Sequence, residues 1–100
     1  MKRKAFLPAS ALLPQVLLRM ARDRGEAGPL RPLWEEAVGE VSAKHSRPRW
    51  LENKTLVVEV ESPRWAQALT AESEEILARL AQKLGAGAVT RLVFEAVEPK

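Results

Sequence analysis

The clearest pattern in the chain is an alternation in which Leu56, Val58 and Val60 are separated by single, more polar positions. Side chains along a β-strand point alternately to opposite faces, so this segment predicts a strand with one apolar face. Ser62 and Pro63 follow it directly. Serine is a favoured helix N-cap, and proline is favoured in the first turn because its missing N–H would have no partner there. The strand is therefore expected to turn straight into a helix that folds back onto the sheet.

Two amphipathic helices are predicted before this strand. The first runs over residues 10–24 and ends at Gly25; its apolar stripe consists of Leu13, Val16, Leu17 and Met20. The second runs over residues 33–44; its predicted buried face consists of Leu33, Trp34, Ala37, Val38 and Val41. Gly39 lies inside the second helix at a cost of about 1 kcal/mol in helix propensity. We therefore expect another part of the chain to pack closely against that glycine.

The remaining elements are a hairpin, a long helical segment and a final strand. Residues 48–51 predict a short strand that pairs with the alternating segment across a turn at Asn53. Residues 63–84 are helical and could form two short helices, because Thr70 precedes several acids as an internal cap would. Residues 89–97 predict a last strand, which a right-handed crossover would place parallel to the alternating strand. The expected fold class is α+β, in the order α-α-β-β-α-β, with a three-stranded mixed sheet covered by helices on one face.

Length and composition are typical of one small folded domain, with 100 residues, 46% hydrophobic and 29% charged. We expect a basic tail over residues 1–8 and a single domain over residues 9–98. The chain has no cysteine, which fits a reducing cytoplasm. The apolar stretch near the N-terminus is interrupted by prolines and followed by charges, unlike a secretion signal, and no run is long enough to span a membrane. The expected location is cytoplasmic.

Basic residues are concentrated in the first half of the chain. Residues 1–50 contain ten Lys/Arg and five Asp/Glu, whereas residues 51–100 contain six and eight. This asymmetry predicts a polyanionic partner, contacted mainly through phosphate with steep salt dependence. The candidate nucleic-acid-binding residues are Lys2, Arg3, Lys4, Arg19, Arg22, Arg24, Arg47, Arg49, Lys54 and Arg64. For any single one of them, scattered solubilising charge is an equally good explanation.

The polar face of the predicted sheet is a poorer candidate for nucleic-acid binding. It would carry Val57, Glu59, Glu61, Arg91, Val93 and Glu95. A face with this composition lacks stacking aromatic residues, and its acids would repel phosphate. Arg47 and Arg49 alternate at the entrance of the first strand, so we expect these two side chains to point the same way.

The three tryptophans are the main candidates for packing or partner contacts. Trp34 and Trp65 lie on apolar stripes and are expected in the core, whereas Trp50 is expected to be half exposed. Tryptophan is enriched in binding hot spots, so any of the three could instead anchor a partner. The candidate partner-binding residues are Trp34, Val38 and Trp50.

Residue types that carry catalysis are scarce in this chain. His45 is the only histidine, there is no cysteine, and no acidic group has metal-ligand spacing. No glycine-rich loop has the spacing that cradles a phosphate. The sequence therefore predicts a protein that is not an enzyme, with no cofactor, no metal and no small-molecule substrate.

Four segments of the chain together resemble the DciA family. They are Trp34-Glu-Glu-Ala-Val38-Gly39, Lys44-His45-Ser46-x-Pro48, Leu56-x-Val58-x-Val60-x-Ser62-x-x-Trp65-Ala66-x-x-Leu69 and Arg91-Leu92-x-Phe94. The specific part is the order and spacing of Trp-x-x-x-Val-Gly followed by Ser-x-x-Trp-Ala. The resemblance covers residues 13–97.

The resemblance implies a K-homology-like fold with the second topology of that class. It also implies a replication-initiation protein that binds the replicative helicase DnaB and helps to load it onto single-stranded DNA, which family members also contact. The chain departs from nucleic-acid-binding K-homology domains, which use a Gly-x-x-Gly loop between two helices, because residues 69–72 contain no glycine. Contact through the basic helices and the tail is therefore expected instead.

Two other functions stay open at this level. One is an RNA-binding or ribosome-associated module of K-homology type, and the other is a protein–protein adaptor with no nucleic-acid role. Competition between structured RNA and single-stranded DNA would separate the first of these from a DNA-binding protein.

Overall fold

The computed structural model describes residues 13–97, in which five α-helices and three strands follow one another. A short 3-10 helix at Gly28–Leu30 connects the first two helices. In chain order the elements are α1 (Pro14–Arg24), α2 (Arg31–Val38), α3 (Glu40–Lys44), β1 (Ser46–Glu52), β2 (Thr55–Val60), α4 (Pro63–Ala71), α5 (Ser73–Leu84) and β3 (Arg91–Ala96). None of these helices is both long enough and apolar enough to cross a lipid bilayer.

The sheet has the order β1-β2-β3, with β1 antiparallel and β3 parallel to the central strand β2. Val58 of β2 is opposite Pro48 on one side and Phe94 on the other, so these residues share the face that packs against the helices. The predicted α+β class and mixed sheet are confirmed. The more specific K-homology assignment stays a prediction.

The corner after β2 has the predicted construction. The Ser62 hydroxyl accepts a hydrogen bond from the Trp65 backbone N–H at 3.3 Å, and Pro63 is the first residue of α4. The helical segment is divided in two, as predicted, but α5 begins after Glu72 with no side-chain cap, so the internal cap at Thr70 is wrong. Ile76 of α5 is buried in the core. The two short helices thus return the chain across the sheet to β3.

Gly39 divides the predicted second helix into α2 and α3. Its φ of 92° lies outside the range of a right-handed helix and is tolerated by glycine because glycine has no Cβ. A Cβ placed on Gly39 would meet no atom within 4 Å. The prediction that another segment packs against this glycine is therefore wrong, and backbone conformation is the reason for the residue.

The buried side of α1 is rotated relative to the prediction. Leu17, Leu18 and Ala21 are buried, whereas Leu13 is 69% and Val16 43% exposed. Met20, beside them, is 36% exposed. Two neighbouring stripes of this helix satisfy the spacing of three and four residues, and packing against the rest of the core selects one of them. Leu13, Val16 and Met20, called the α1 stripe below, remain at the surface.

Trp34 lies at the centre of the core, with 1% of its surface exposed. Its indole Nε1–H donates to the Ser46 hydroxyl at 2.9 Å, and that hydroxyl donates to the Ser42 carbonyl at 2.7 Å. The ring centroid of Trp34 is 6.2 Å from that of Phe94 in β3. The core prediction is confirmed. The partner-binding prediction for Trp34 is corrected, because its side chain has almost no surface to offer a partner.

Candidate nucleic-acid interface

A β-bulge in β1 determines which side chains reach the outer face of the sheet, the face opposite the helices. Pro48 is opposite Val58 of β2, but the next residue in register, opposite Val57, is Trp50 rather than Arg49. A bulge inserts one extra residue into a strand and bends it. Arg49 is that extra residue, and Trp50 consequently shares the outer face with Arg47.

The two arginines and the tryptophan form one connected group. The Glu59 carboxylate Oε1 lies 3.6 Å from Arg47 Nη2 and 3.5 Å from Arg49 Nη1. The Arg49 guanidinium carbon lies 5.3 Å from the Trp50 ring centroid, a cation–π distance. Arg47 and Arg49 therefore point the same way, as predicted. Because one carboxylate faces two guanidinium groups, this arginine–tryptophan patch, consisting of Arg47, Arg49 and Trp50, retains a positive charge.

The prediction that the outer face lacks an aromatic residue is wrong. Trp50 is 42% exposed on this face, and Glu59 is paired with arginines instead of standing alone against an incoming phosphate. Strict alternation from Arg49 would have turned Trp50 toward the helices. The signal in the sequence was Pro48, because proline inside a strand is found at edges and bulges.

A basic groove runs along β1. Two adjoining cavities form it, of about 400 Å³ and about 320 Å³, and both are lined by Arg31 and Arg47. Lys44 and His45 line the first cavity, and the arginine–tryptophan patch lines the second. Arg31 and Lys44 lie near Arg47 because the chain turns between α2 and β1. The sequence alone did not predict this arrangement, since it depends on how distant segments pack. The basic and aromatic residues of the groove are Arg31, Lys44, His45, Arg47, Arg49 and Trp50.

The groove also contains acids, which limit its net charge. Glu26, Glu59 and Glu61 line parts of the two cavities, and the Arg31 Nε is 3.4 Å from the Glu35 carboxylate outside them. Exposed pairs of this kind contribute little stability, about 0–1 kcal/mol, and exchange readily for other partners. These carboxylates therefore hold the cations of the groove only weakly.

His45 lines the first cavity of the groove. Its ring stacks on Trp65 with centroids 4.6 Å apart and planes 16° apart, and its Nδ1 lies 2.8 Å from Glu61 Oε1. Trp65 packs against the core with one part and against His45 with the other, so it is only partly buried. The prediction that Trp65 is enclosed in the core is corrected accordingly.

The other predicted basic residues do not join this groove. Arg19, Arg22 and Arg24 are exposed on α1, which lies in the helical layer and not on the outer sheet face. The Lys54 carbonyl accepts from the Thr90 N–H at the start of β2, whereas Arg64 follows the far end of that strand. These two cations are thus at opposite ends of the sheet. Lys2, Arg3 and Lys4 lie outside the described residues.

The predicted partner-binding residues are also separated from one another. Val38 ends α2 and packs partly against the core, while Trp50 is on the outer sheet face. Among residues 13–97, no group of three or more His, Cys, Asp or Glu residues is arranged to hold a metal ion.

Comparison with known proteins identifies the family of this chain. The family model described as "Dna[CI] antecedent, DciA" matches residues 8–94, most of the chain. The chain belongs to the DciA family. The residues that carried the resemblance meet in space, since Trp34 bonds to Ser46 and His45 stacks on Trp65.

Individual bacterial proteins are similar to this chain over most of its length. The chain is 29% identical over 96 residues to a UPF0232 protein of Corynebacterium glutamicum (strain R), a match covering 91% of this chain and 54% of that protein. It is 36% identical over 88 residues to a UPF0232 protein of Mycolicibacterium paratuberculosis, covering 79% of this chain and 49% of that protein. A UPF0232 protein of Mycolicibacterium smegmatis is 34% identical over 86 residues. This chain spans about half the length of the curated relatives it matches.

Proposed function

We propose that this DciA-family chain is a non-enzymatic replication-initiation protein that binds the replicative helicase DnaB and assists its loading onto single-stranded DNA. The family match over residues 8–94 is the observation that carries the proposal. The basic groove with its exposed tryptophan supplies a surface for DNA, and the α1 stripe supplies a separate apolar surface for a protein.

Single-stranded DNA would lie along β1. Arg31, Lys44 and Arg47 would contact successive phosphates, and a base would stack on the exposed Trp50 ring. Stacking on an aromatic ring is tolerant of sequence because every base has a π-face. The seven residues of β1 would give a short contact, with weak sequence preference and an affinity that falls steeply with salt.

DnaB would dock on the α1 stripe. Leu13, Val16 and Met20 recur along one side of α1, next to its buried face, and remain exposed. This helix lies in the layer behind the sheet, so a helicase held there leaves the outer sheet face accessible. The end of α1 reaches the edge of β1, because the Gly25 carbonyl accepts the Leu51 N–H at 3.0 Å. DNA in the groove would thus be presented next to a docked helicase.

The DNA surface is tested by salt-dependent binding to a single-stranded oligonucleotide. Lys44 and Arg47 changed together to Ala should lower the slope of log K against log salt by up to ~1.4, at ~0.7 per lost phosphate contact. Arg19 and Arg22 changed together to Ala remove the same charge from α1 and serve as the matched control. An equal decrease of the salt slope in both double variants would reject the groove as the DNA site. In a competition experiment, preferential binding of structured RNA would identify RNA instead of DNA as the ligand.

The helicase surface is tested by co-purification with DnaB from the same cell. Val16→Glu and Met20→Glu place charges in the α1 stripe without touching the buried side of the helix, and they should abolish the complex. Arg47→Ala, in the groove and outside the α1 stripe, should leave it intact. The absence of a complex for the unmodified chain at micromolar concentration and low salt would contradict helicase binding, whatever the result with DNA.

A further inference from the structure

β3 forms an open edge of the sheet. The Arg91 N–H donates to the Lys54 carbonyl at 3.3 Å, and the Val97 N–H donates to the Val60 carbonyl at 2.8 Å, so these odd-numbered positions face β2. Backbone groups alternate in direction along a strand, and the N–H and C=O of Leu92 and Phe94 therefore point away from the sheet. Within residues 13–97, no other segment pairs with that side of β3.

The side chains along this edge are arranged symmetrically about Val93. Arg91 precedes it by two positions and Glu95 follows it by two, and both are exposed. Leu92 and Phe94, the sequence neighbours of Val93, point to the helical face of the sheet, and both are only partly buried. A second copy running antiparallel and centred on Val93 would therefore place Arg91 opposite Glu95 of the second copy, and Leu92 opposite Phe94. Each of these pairs would occur twice.

The backbone supports the same register. In an antiparallel ladder, opposed residues alternate between pairs that exchange two hydrogen bonds and pairs that exchange none. The outward-facing groups of Leu92 and Phe94 fall at the bonded positions, which gives four hydrogen bonds across the two-fold axis. Val93 and the two charge pairs fall at the non-bonded positions, where side chains approach more closely. A register shifted by two residues would keep the bonding pattern and lose both charge pairs.

We propose that β3 is a self-association surface, on which a second copy of this chain adds antiparallel about Val93 to form a continuous six-stranded sheet. The occupant is a second copy because the charges and apolar residues of this edge are complementary to themselves. The inference stands independently of the proposed function, since it rests on the β3 edge and involves neither the basic groove nor the α1 stripe.

Charge reversal on the full chain tests the proposal through sedimentation equilibrium at low salt. Arg91→Glu places two glutamates opposite each other, and Glu95→Arg places two arginines opposite each other. Each variant alone should raise the dissociation constant of the dimer by about tenfold or more, because two cross-strand pairs change from attraction to repulsion. A 1:1 mixture of the two variants should associate as well as the unmodified chain, since every pair in the mixed dimer is again complementary. The double variant R91E/E95R should behave in the same way.

Arg19→Glu is the matched control, because it makes the same charge change on α1 and should leave association unaltered. The proposal would be overturned if the unmodified chain stayed monomeric up to about 1 mM. It would also be overturned by a dimer that Arg91→Glu did not weaken, or by single variants whose mixture did not recover.

Amide hydrogen exchange provides a second, independent readout on the unmodified chain. The Leu92 and Phe94 amides should exchange rapidly at low concentration and gain protection as concentration rises. The Val93 and Glu95 amides face β2 and should be protected throughout. Concentration-dependent protection elsewhere in the chain, without any at Leu92 and Phe94, would place the contact on another surface and contradict the proposal.

Discussion

The two edges of the sheet are finished in different ways. At the β1 edge, the Ala27 N–H donates to the Arg49 carbonyl at 2.9 Å and the Leu51 N–H donates to the Gly25 carbonyl at 3.0 Å, so the segment after α1 covers the strand. The β3 edge has no such cover within the described residues. β1 is also bulged and contains Pro48, whereas β3 is paired with β2 in continuous register.

The two edges differ in how well they are protected from pairing with another chain. Bulges, prolines and covering segments are the devices that keep edge strands from pairing with other chains. All three are found at β1, whose side chains are then available for a ligand on the outer face. Among residues 13–97, β3 has none of them, and its exposed Arg91 and Glu95 are opposite in charge instead of repelling a second strand. The sheet thus separates the face proposed for DNA from the edge proposed for another strand.

The largest expected effect comes from a residue that supports both edges. Trp34 bonds to Ser46 at the start of β1 and packs near Phe94 of β3. Trp34→Ala should lower the free energy of unfolding by about 3–5 kcal/mol, because it leaves a large cavity beneath the whole sheet. Denaturant unfolding followed by circular dichroism measures this change. A loss below about 1 kcal/mol would show that the edges do not share this support.

A smaller effect is expected at the covered edge alone. Gly25 has a φ of 72° at the end of α1, and its carbonyl holds Leu51. Gly25→Ala should lower the free energy of unfolding by about 1–2 kcal/mol, because alanine is strained in the left-handed conformation. A steric clash should add nothing to this cost, since a Cβ at Gly25 meets no atom within 4 Å. Gly28→Ala is the control in the same loop, where a Cβ also meets nothing and φ is not positive, and it should be neutral or slightly stabilising.

Trp50→Ala separates function from stability at the β1 edge. The ring is 42% exposed, so its removal should change the free energy of unfolding by less than about 1 kcal/mol. Binding of single-stranded DNA should nevertheless weaken by about 1–3 kcal/mol if one base stacks there. Thermal unfolding and DNA titration of the same preparation measure both quantities. A large stability loss with unchanged DNA binding would make Trp50 a structural residue.

The smallest effect on the folded monomer is expected at the open edge. Arg91 is exposed, and Arg91→Glu should change the unfolding free energy of the dilute chain by no more than about 0.5 kcal/mol. Denaturation at low micromolar concentration measures this value apart from any self-association. A larger loss would mean that Arg91 stabilises its own monomer, and the comparison of the two edges would have to be revised.

Features encoded by short stretches of sequence could be predicted. The element order, the parallel return of β3 and the Ser62 cap follow from local periodicity, turn residues and chain connectivity. The burial of Trp34 and the common direction of Arg47 and Arg49 also follow from spacing along one element. Each of these depends on residues a few positions apart, or on a connection rule that leaves one solution.

Features that depend on a distant neighbour were decided by the tertiary structure. Two stripes of α1 have helical spacing, and only packing with other elements buries Leu17 and leaves Val16 outside. The bulge that turns Trp50 to the outer face exists only in the pairing of β1 with β2, and Arg31 joins Arg47 only after the chain has turned between them. The sequence by itself therefore determined the order of the helical segments and strands. The choice of faces, the groove and the open edge required the contacts between those elements, because periodicity describes one segment at a time.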